Sequence, residues 1–164
     1  MTTQYQLIFS SPPGGAIDST GAFKDSVSSP AKLKHTTFNL TSDQILNLVG
    51  TPVTVIPAPV TAGESIIVMR ATLVLTAGTV AYSSGVGSNM IIRYSNANVS
   101  VTDAFSAATF TNPTSTIEFV NSVTNSGARS SLINSAIRVQ NTGAAFTAGN
   151  GTGVLHLWYE VISA

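Results

Sequence analysis

The run ESIIVMRATLVLT at residues 64–76 constrains this chain more than any other stretch. It is the longest apolar run in the 164 residues, and it is approached through Pro52, Pro57 and Pro59, residues that neither continue a helix nor donate into a central ladder. Read with period two, Ile67, Met69, Ala71, Leu73 and Leu75 form one wholly apolar face. Ile66, Val68, Arg70, Thr72 and Val74 form a mixed one. One clean face at period two is the pattern of a sheet strand packed on a core. Residues 66–75 are therefore expected to be the central strand of a β-domain.

The flanking sequence keeps the same rhythm. Residues 36–40 read as a strand entering the body, and residues 53–56, bracketed by prolines, as a short edge strand. Thr41, Ser42 and Asp43 offer acceptors for a helix start, with Asp43 as cap. A single short helical turn then carries Ile45, Leu46 and Leu48 and ends at Gly50. Beyond the central run, residues 80–82, 90–94, 99–101, 108–110, 116–120, 132–139 and 154–162 alternate with Asn, Ser, Gly and Pro turns. The glycine-rich residues 149–153 precede a strand and lack the Lys-Ser/Thr of a phosphate loop, so they are expected to form a hairpin turn. The expected class is all-β, a jelly-roll-like β-sandwich of about eight to ten short strands.

Everything before residue 36 is different material. Ser10 to Gly15, Asp18 to Gly21 and Ser26 to Pro30 are rich in Pro, Gly and Ser, which build no element interior. Residues 1–35 are expected to form an extended N-terminal arm, without regular structure from residue 10 onward, and residues 36–164 the body. Tyr5, Leu7, Ile8, Phe9, Ile17 and Phe23 are apolar anchors that a purely solvating tail does not need, so the arm is read as a segment that orders on a partner. Lys24, Lys32 and Lys34, beside His35, supply polar contacts.

Charge excludes several function classes. Charged residues make up 9% of the chain, seven basic against seven acidic, so the clustered cations that phosphate backbones or acidic membranes require are missing. No nucleic-acid or membrane partner is expected. The N-terminus lacks a basic n-region and an apolar h-region, and no run reaches the roughly 20 residues of a membrane span. A chain made in the cytoplasm is the resulting expectation. Exposure must rest on Ser, Thr, Asn and Gly, giving a neutral, hydroxyl-rich surface.

Chemistry-bearing residues are sparse. With no cysteine there is neither a thiol nucleophile nor a thiolate metal site. His35 falls in the arm, and His156 lies mid-strand on a polar face without a Gly-x-Ser-x-Gly pattern nearby. His156 is expected to be a surface or interface histidine beside Glu160 or the neighbours of Arg138. The acids Asp18, Asp25, Asp43, Glu64, Asp103, Glu118 and Glu160 are scattered singly, neither paired for hydrolysis nor clustered for a metal. The reading is of a non-enzymatic protein with no catalytic residues, no metal, no cofactor and no small-molecule substrate.

The succession LTSDQILNL at 40–48, TPVTVIPAP at 51–59, the long apolar strand, Ala81 and Tyr82, IIRY at 91–94 and LWYEV at 157–161 resembles a β-module of tailed-bacteriophage virion proteins. It is most like the small capsid decoration, or cement, proteins. The resemblance implies a mechanical role on the outer capsid surface of the virion, as a homotrimer bridging neighbouring copies of the major capsid protein. The arm residues Tyr5, Leu7, Phe9, Ile17, Phe23, Lys24, Lys32 and Lys34 are then the expected capsid contacts. The alternative is a tail-fibre or baseplate module that binds another tail protein, or a host glycan through Tyr82, Tyr94, Trp158 or Tyr159.

Overall fold

The computed structural model describes residues 16–17, 23–24, 33–97, 99–123 and 132–163. The chain divides into two units, Met1–Pro30 and Ala31–Ala164. In the first, β1 (Ala16–Ile17) pairs antiparallel with β2 (Phe23–Lys24), Ile17 opposite Phe23. A short ladder thus stands where no regular structure was expected. In the second unit, β3 (Lys34–Leu40) already contains Lys34 and His35. Both fall within the expected arm of residues 1–35. Their backbones are instead held by β10, with Lys34 opposite Tyr159 and His35 opposite Trp158.

The remaining elements are α1 (Ser42–Asn47), β4 (Val53–Ile56), β5 (Glu64–Thr76), β6 (Asn89–Tyr94), β7 (Phe105–Ser106), α2 (Ala107–Thr111), β8 (Thr116–Asn121), β9 (Ile137–Gln140) and β10 (Thr152–Ser163). They build two antiparallel four-stranded sheets, ordered β3-β10-β5-β8 and β4-β9-β6-β7. The pairing is nested: β3 with β10, β4 with β9, β5 with β8, β6 with β7. Every link crosses from one sheet to the other except that between β6 and β7. Leu40, Ile66, Val68, Leu73, Leu75, Leu155 and Leu157 of the first sheet meet Val55, Ile56, Met90, Ile92, Tyr94, Ile137 and Val139 of the second in one buried cluster. The architecture is an all-β sandwich.

The longest strand departs from simple alternation. Opposite β10, Arg70 faces Trp158 while Val68 faces Tyr159, so Met69 is an extra residue. Such a bulge moves every side chain beyond it to the other face. Ala71, Leu73 and Leu75 are buried as the pattern predicts, but on the near side of Met69 the buried apolar residues are Ile66 and Val68. Ile67 and Met69, expected in the core, are exposed. Two adjacent isoleucines make this measurable. Ile66→Ala will cost about 2–5 kcal/mol, and Ile67→Ala about 1 kcal/mol or less. Urea denaturation of both variants reads the order directly, and unbroken alternation predicts the reverse.

Local chemistry explains other departures. The α1 cap is Thr41, whose hydroxyl accepts from Gln44 N while Gln44 Oε1 accepts from Thr41 N, leaving Asp43 in the first turn. Residues 108–110, expected as a strand, lie in α2 because the Ser106 hydroxyl caps Ala108 N. Residues 80–82 form no strand: Asn150 accepts from Val80 N at 2.9 Å and donates to Thr79 Oγ1 at 2.8 Å, taking the place of a ladder partner. Residues 99–101 contribute only an isolated bridge, Ser100 to Arg93. Strand β9 starts at Ile137 because Asn134, at φ 51°, interrupts the extended run. The glycine-rich loop carries the chain from β9 in one sheet to β10 in the other and is not a hairpin turn. Gly149 is needed there, at φ 86° with the Tyr82 ring where a Cβ would sit.

Candidate functional site

The outward face of the first sheet collects the side chains that the core does not use. Its register sets them in three rows across β3, β10, β5 and β8. The first is His35, Trp158, Arg70, Asn121; the second Thr37, His156, Thr72, Phe119; the third Asn39, Val154, Val74, Ile117. Ile117 and Phe119 are 60% and 65% exposed, and Ile67 and Met69 extend the exposed apolar area past the bulge. Thr72 is only 5% exposed beneath these neighbours, and its Oγ1 has no hydrogen-bond partner. The face thus joins exposed apolar side chains to an aromatic row, a combination found at interaction surfaces.

An aromatic and cationic row crosses it. The Arg70 guanidinium carbon lies 4.3 Å from the Trp158 ring centroid, a cation–π contact from one neighbouring strand. From the other neighbour, His35 meets the same ring at 4.7 Å between centroids, tilted by 31°. His156, two residues before Trp158 on β10, is parallel to His35 within 7°. Its Nδ1 is 3.4 Å from His35 Nε2. The partner of His156 is thus His35, and neither Glu160 nor a neighbour of Arg138. The cross-strand geometry places these rings side by side, because His35 and His156 are diagonal neighbours on adjacent strands.

The second sheet presents a different outward face. Arg93 and Arg138 stand directly opposite one another on β6 and β9, with Thr54 opposite Arg138 on β4. Burial and the Arg138 charge both lower the Arg93 guanidinium from its ordinary range. The acids lie elsewhere: both Glu118 oxygens accept from Ser106 N at 3.0 Å, and one also accepts from Thr109 Oγ1, tying β8 to α2. Among the described residues no group of three or more His, Cys, Asp or Glu converges on a metal position. No helix among them is long and apolar enough to cross a membrane.

The sequence-based contact residues are only partly brought together. Tyr5, Leu7, Phe9 and Lys32 lie outside the described residues. Ile17, Phe23 and Lys24 belong to the β1–β2 ladder. Lys34 lines a groove of about 220 Å³ in the body with Ile56, Pro57, Pro59, Tyr159 and Val161. Of the aromatics considered for glycan stacking, Tyr82 and Tyr94 are buried, their hydroxyls donating to the carbonyls of Gly151 and Ile66. Tyr159 packs against the core, and Trp158 is flanked by Arg70 and His35. Sequence reasoning missed the His35–His156–Trp158–Arg70 row. Strand alternation places His156, Trp158 and Arg70 on outward faces, but only the pairing of β3 with β10 brings His35 to them.

Compared with known proteins, the chain matches no family model and no curated sequence.

Proposed function

We propose that this protein is a non-enzymatic structural component of a tailed-phage virion. In this reading it decorates the outer surface of the head and, as a homotrimer, bridges neighbouring copies of the major capsid protein. The observation that carries the reading is the nested pairing of the eight body strands, outermost β3 with β10 and innermost β6 with β7. We take this arrangement as a jelly roll, a double-sheet architecture that recurs in viral shells. A fold alone does not specify a role. Support comes also from the decoration-protein resemblance of residues 40–48, 51–59, 91–94 and 157–161, and from the exposed apolar face around Ile117 and Phe119. The N-terminal unit, Met1–Pro30, is the capsid-gripping part, its apolar anchors adding to the grip of the body. Repetition over a symmetric shell converts modest single-site affinity into avidity.

Cosedimentation of purified protein with expanded heads, followed by electron microscopy, tests this. The full chain is expected to add regularly spaced density to the outer shell. A chain starting at Ala31 is expected to keep its thermal midpoint and lose at least tenfold in head affinity. Unchanged affinity removes the N-terminal unit from the interface. Bare heads at saturating full-length protein, or density on the tail alone, overturn the decoration role.

A further inference from the structure

We propose that His35 and His156 form a two-imidazole site for a borderline-soft divalent transition-metal ion, Cu²⁺, Ni²⁺ or Zn²⁺, on the outward face of the first sheet. The inference stands apart from the virion reading, since it rests only on geometry within the body. His156 Nδ1 and His35 Nε2 face each other at 3.4 Å. That is longer than the about 2.7–3.2 Å of a good hydrogen bond from a ring nitrogen. It fits two imidazole nitrogens on one tetrahedral ion, which at about 2.0–2.1 Å from each nitrogen stand about 3.3–3.4 Å apart. The two rings are parallel within 7°, with centroids 5.5 Å apart.

The site is held from below and beside. The two histidines project from adjacent strands locked by seven consecutive register pairs, from Gly153↔Leu40 to Tyr159↔Lys34. Trp158 braces both rings, at 4.7 Å from His35 and 6.2 Å from His156. Little ordering therefore remains to be done on binding, which is what a site with only two protein ligands needs. His35 is exposed and His156 half-buried, so the remaining coordination positions open to water. Imidazole selects copper, nickel and zinc over the hard cations calcium and magnesium, which take oxygen ligands.

Trp158 is the only tryptophan in the chain, which makes it a built-in reporter beside the site. Untagged full-length protein at pH 8 is titrated with Cu²⁺ and separately with Ni²⁺ while tryptophan emission is followed. Saturable one-to-one quenching in the micromolar range is expected, reversed by a chelator and competed by Zn²⁺, with Mg²⁺ having no effect. His35→Gln and His156→Gln are each expected to weaken the midpoint at least tenfold while keeping the thermal midpoint of the parent. Two independent variants guard against a folding defect in either. Quenching with the same midpoint in parent and both variants, or none below millimolar metal, shows an ordinary imidazole pair and overturns the proposal.

Discussion

Replacing Phe110 by alanine will destabilise the body by about 3–5 kcal/mol. Phe110 is fully buried, tilted against Phe146 at 4.6 Å and edge-on to Tyr82 at 6.2 Å between centroids. These three rings close the sandwich at the crossing of α2 with the loops around residues 82 and 146. A helix as short as α2 has no stability of its own. What fixes it is the Ser106 cap, the Glu118 carboxylate on Thr109 and the burial of Phe110. Truncation leaves a cavity between two aromatic neighbours that cannot collapse without moving β8 and the residue-146 loop. Since a domain of this size commonly has only about 5–15 kcal/mol in hand, the variant will approach the unfolding threshold near body temperature. Urea denaturation reads this as a lowered midpoint with an unchanged slope. Phe119→Ala, at a site 65% exposed, is the control and is expected to stay within about 0.5 kcal/mol of the parent. Equal effects from the two phenylalanines contradict the packing described above.

A second large effect appears at alkaline pH. Burial first, and the nearby Asp43 carboxylate second, push the Tyr82 phenol up to about 12 from its ordinary 10.0. The unfolded chain therefore releases this proton near pH 10 while the folded protein keeps it until about pH 12. Stability that is fully present below pH 10 is lost as the pH rises through that window. Tyr94, also raised by burial, acts in the same direction. Tyr82→Phe removes one of the two titrations. At neutral pH it costs about 1 kcal/mol, because the Gly151 carbonyl loses its donor. Above pH 10 the variant declines less steeply than the parent, so the two stability curves cross between pH 10 and 12. Lysine and arginine titration enters both curves alike and leaves their difference untouched. Parallel curves over that range rule out Tyr82 as the alkaline-sensitive group.

Much of the body was legible because its signals are local. Pro52 and Pro57 bracket an edge strand in the sequence, and β4 is the edge of its sheet. Residues 90–94, 116–120 and 154–162 alternate, and each lies within a strand, β6, β8 and β10. Asn134 and Ser106 mark where alternation misleads. A left-handed backbone at the first and a helix cap at the second break what a pattern of apolar residues would continue. Both are choices between near-equal local conformations, made by the partners that packing supplies.

The interaction face was less legible for a related reason. Period two assigns a face only while the register is unbroken, and the extra residue Met69 is defined by its lack of a counterpart on β10. From sequence alone, Ile67 and Met69 therefore belonged to the core and Ile66 and Val68 did not. His35 and His156 are 121 positions apart, so no local pattern joins them. By itself the sequence determined that this chain is all-β, where its longest strand lies and which segments turn, because propensity, proline and glycine act within a few residues. Only the tertiary structure decided which strands pair, which half of β5 faces inward and which side chains share the outer face. Those are properties of register between distant segments, where a shift of one residue exchanges inside for outside.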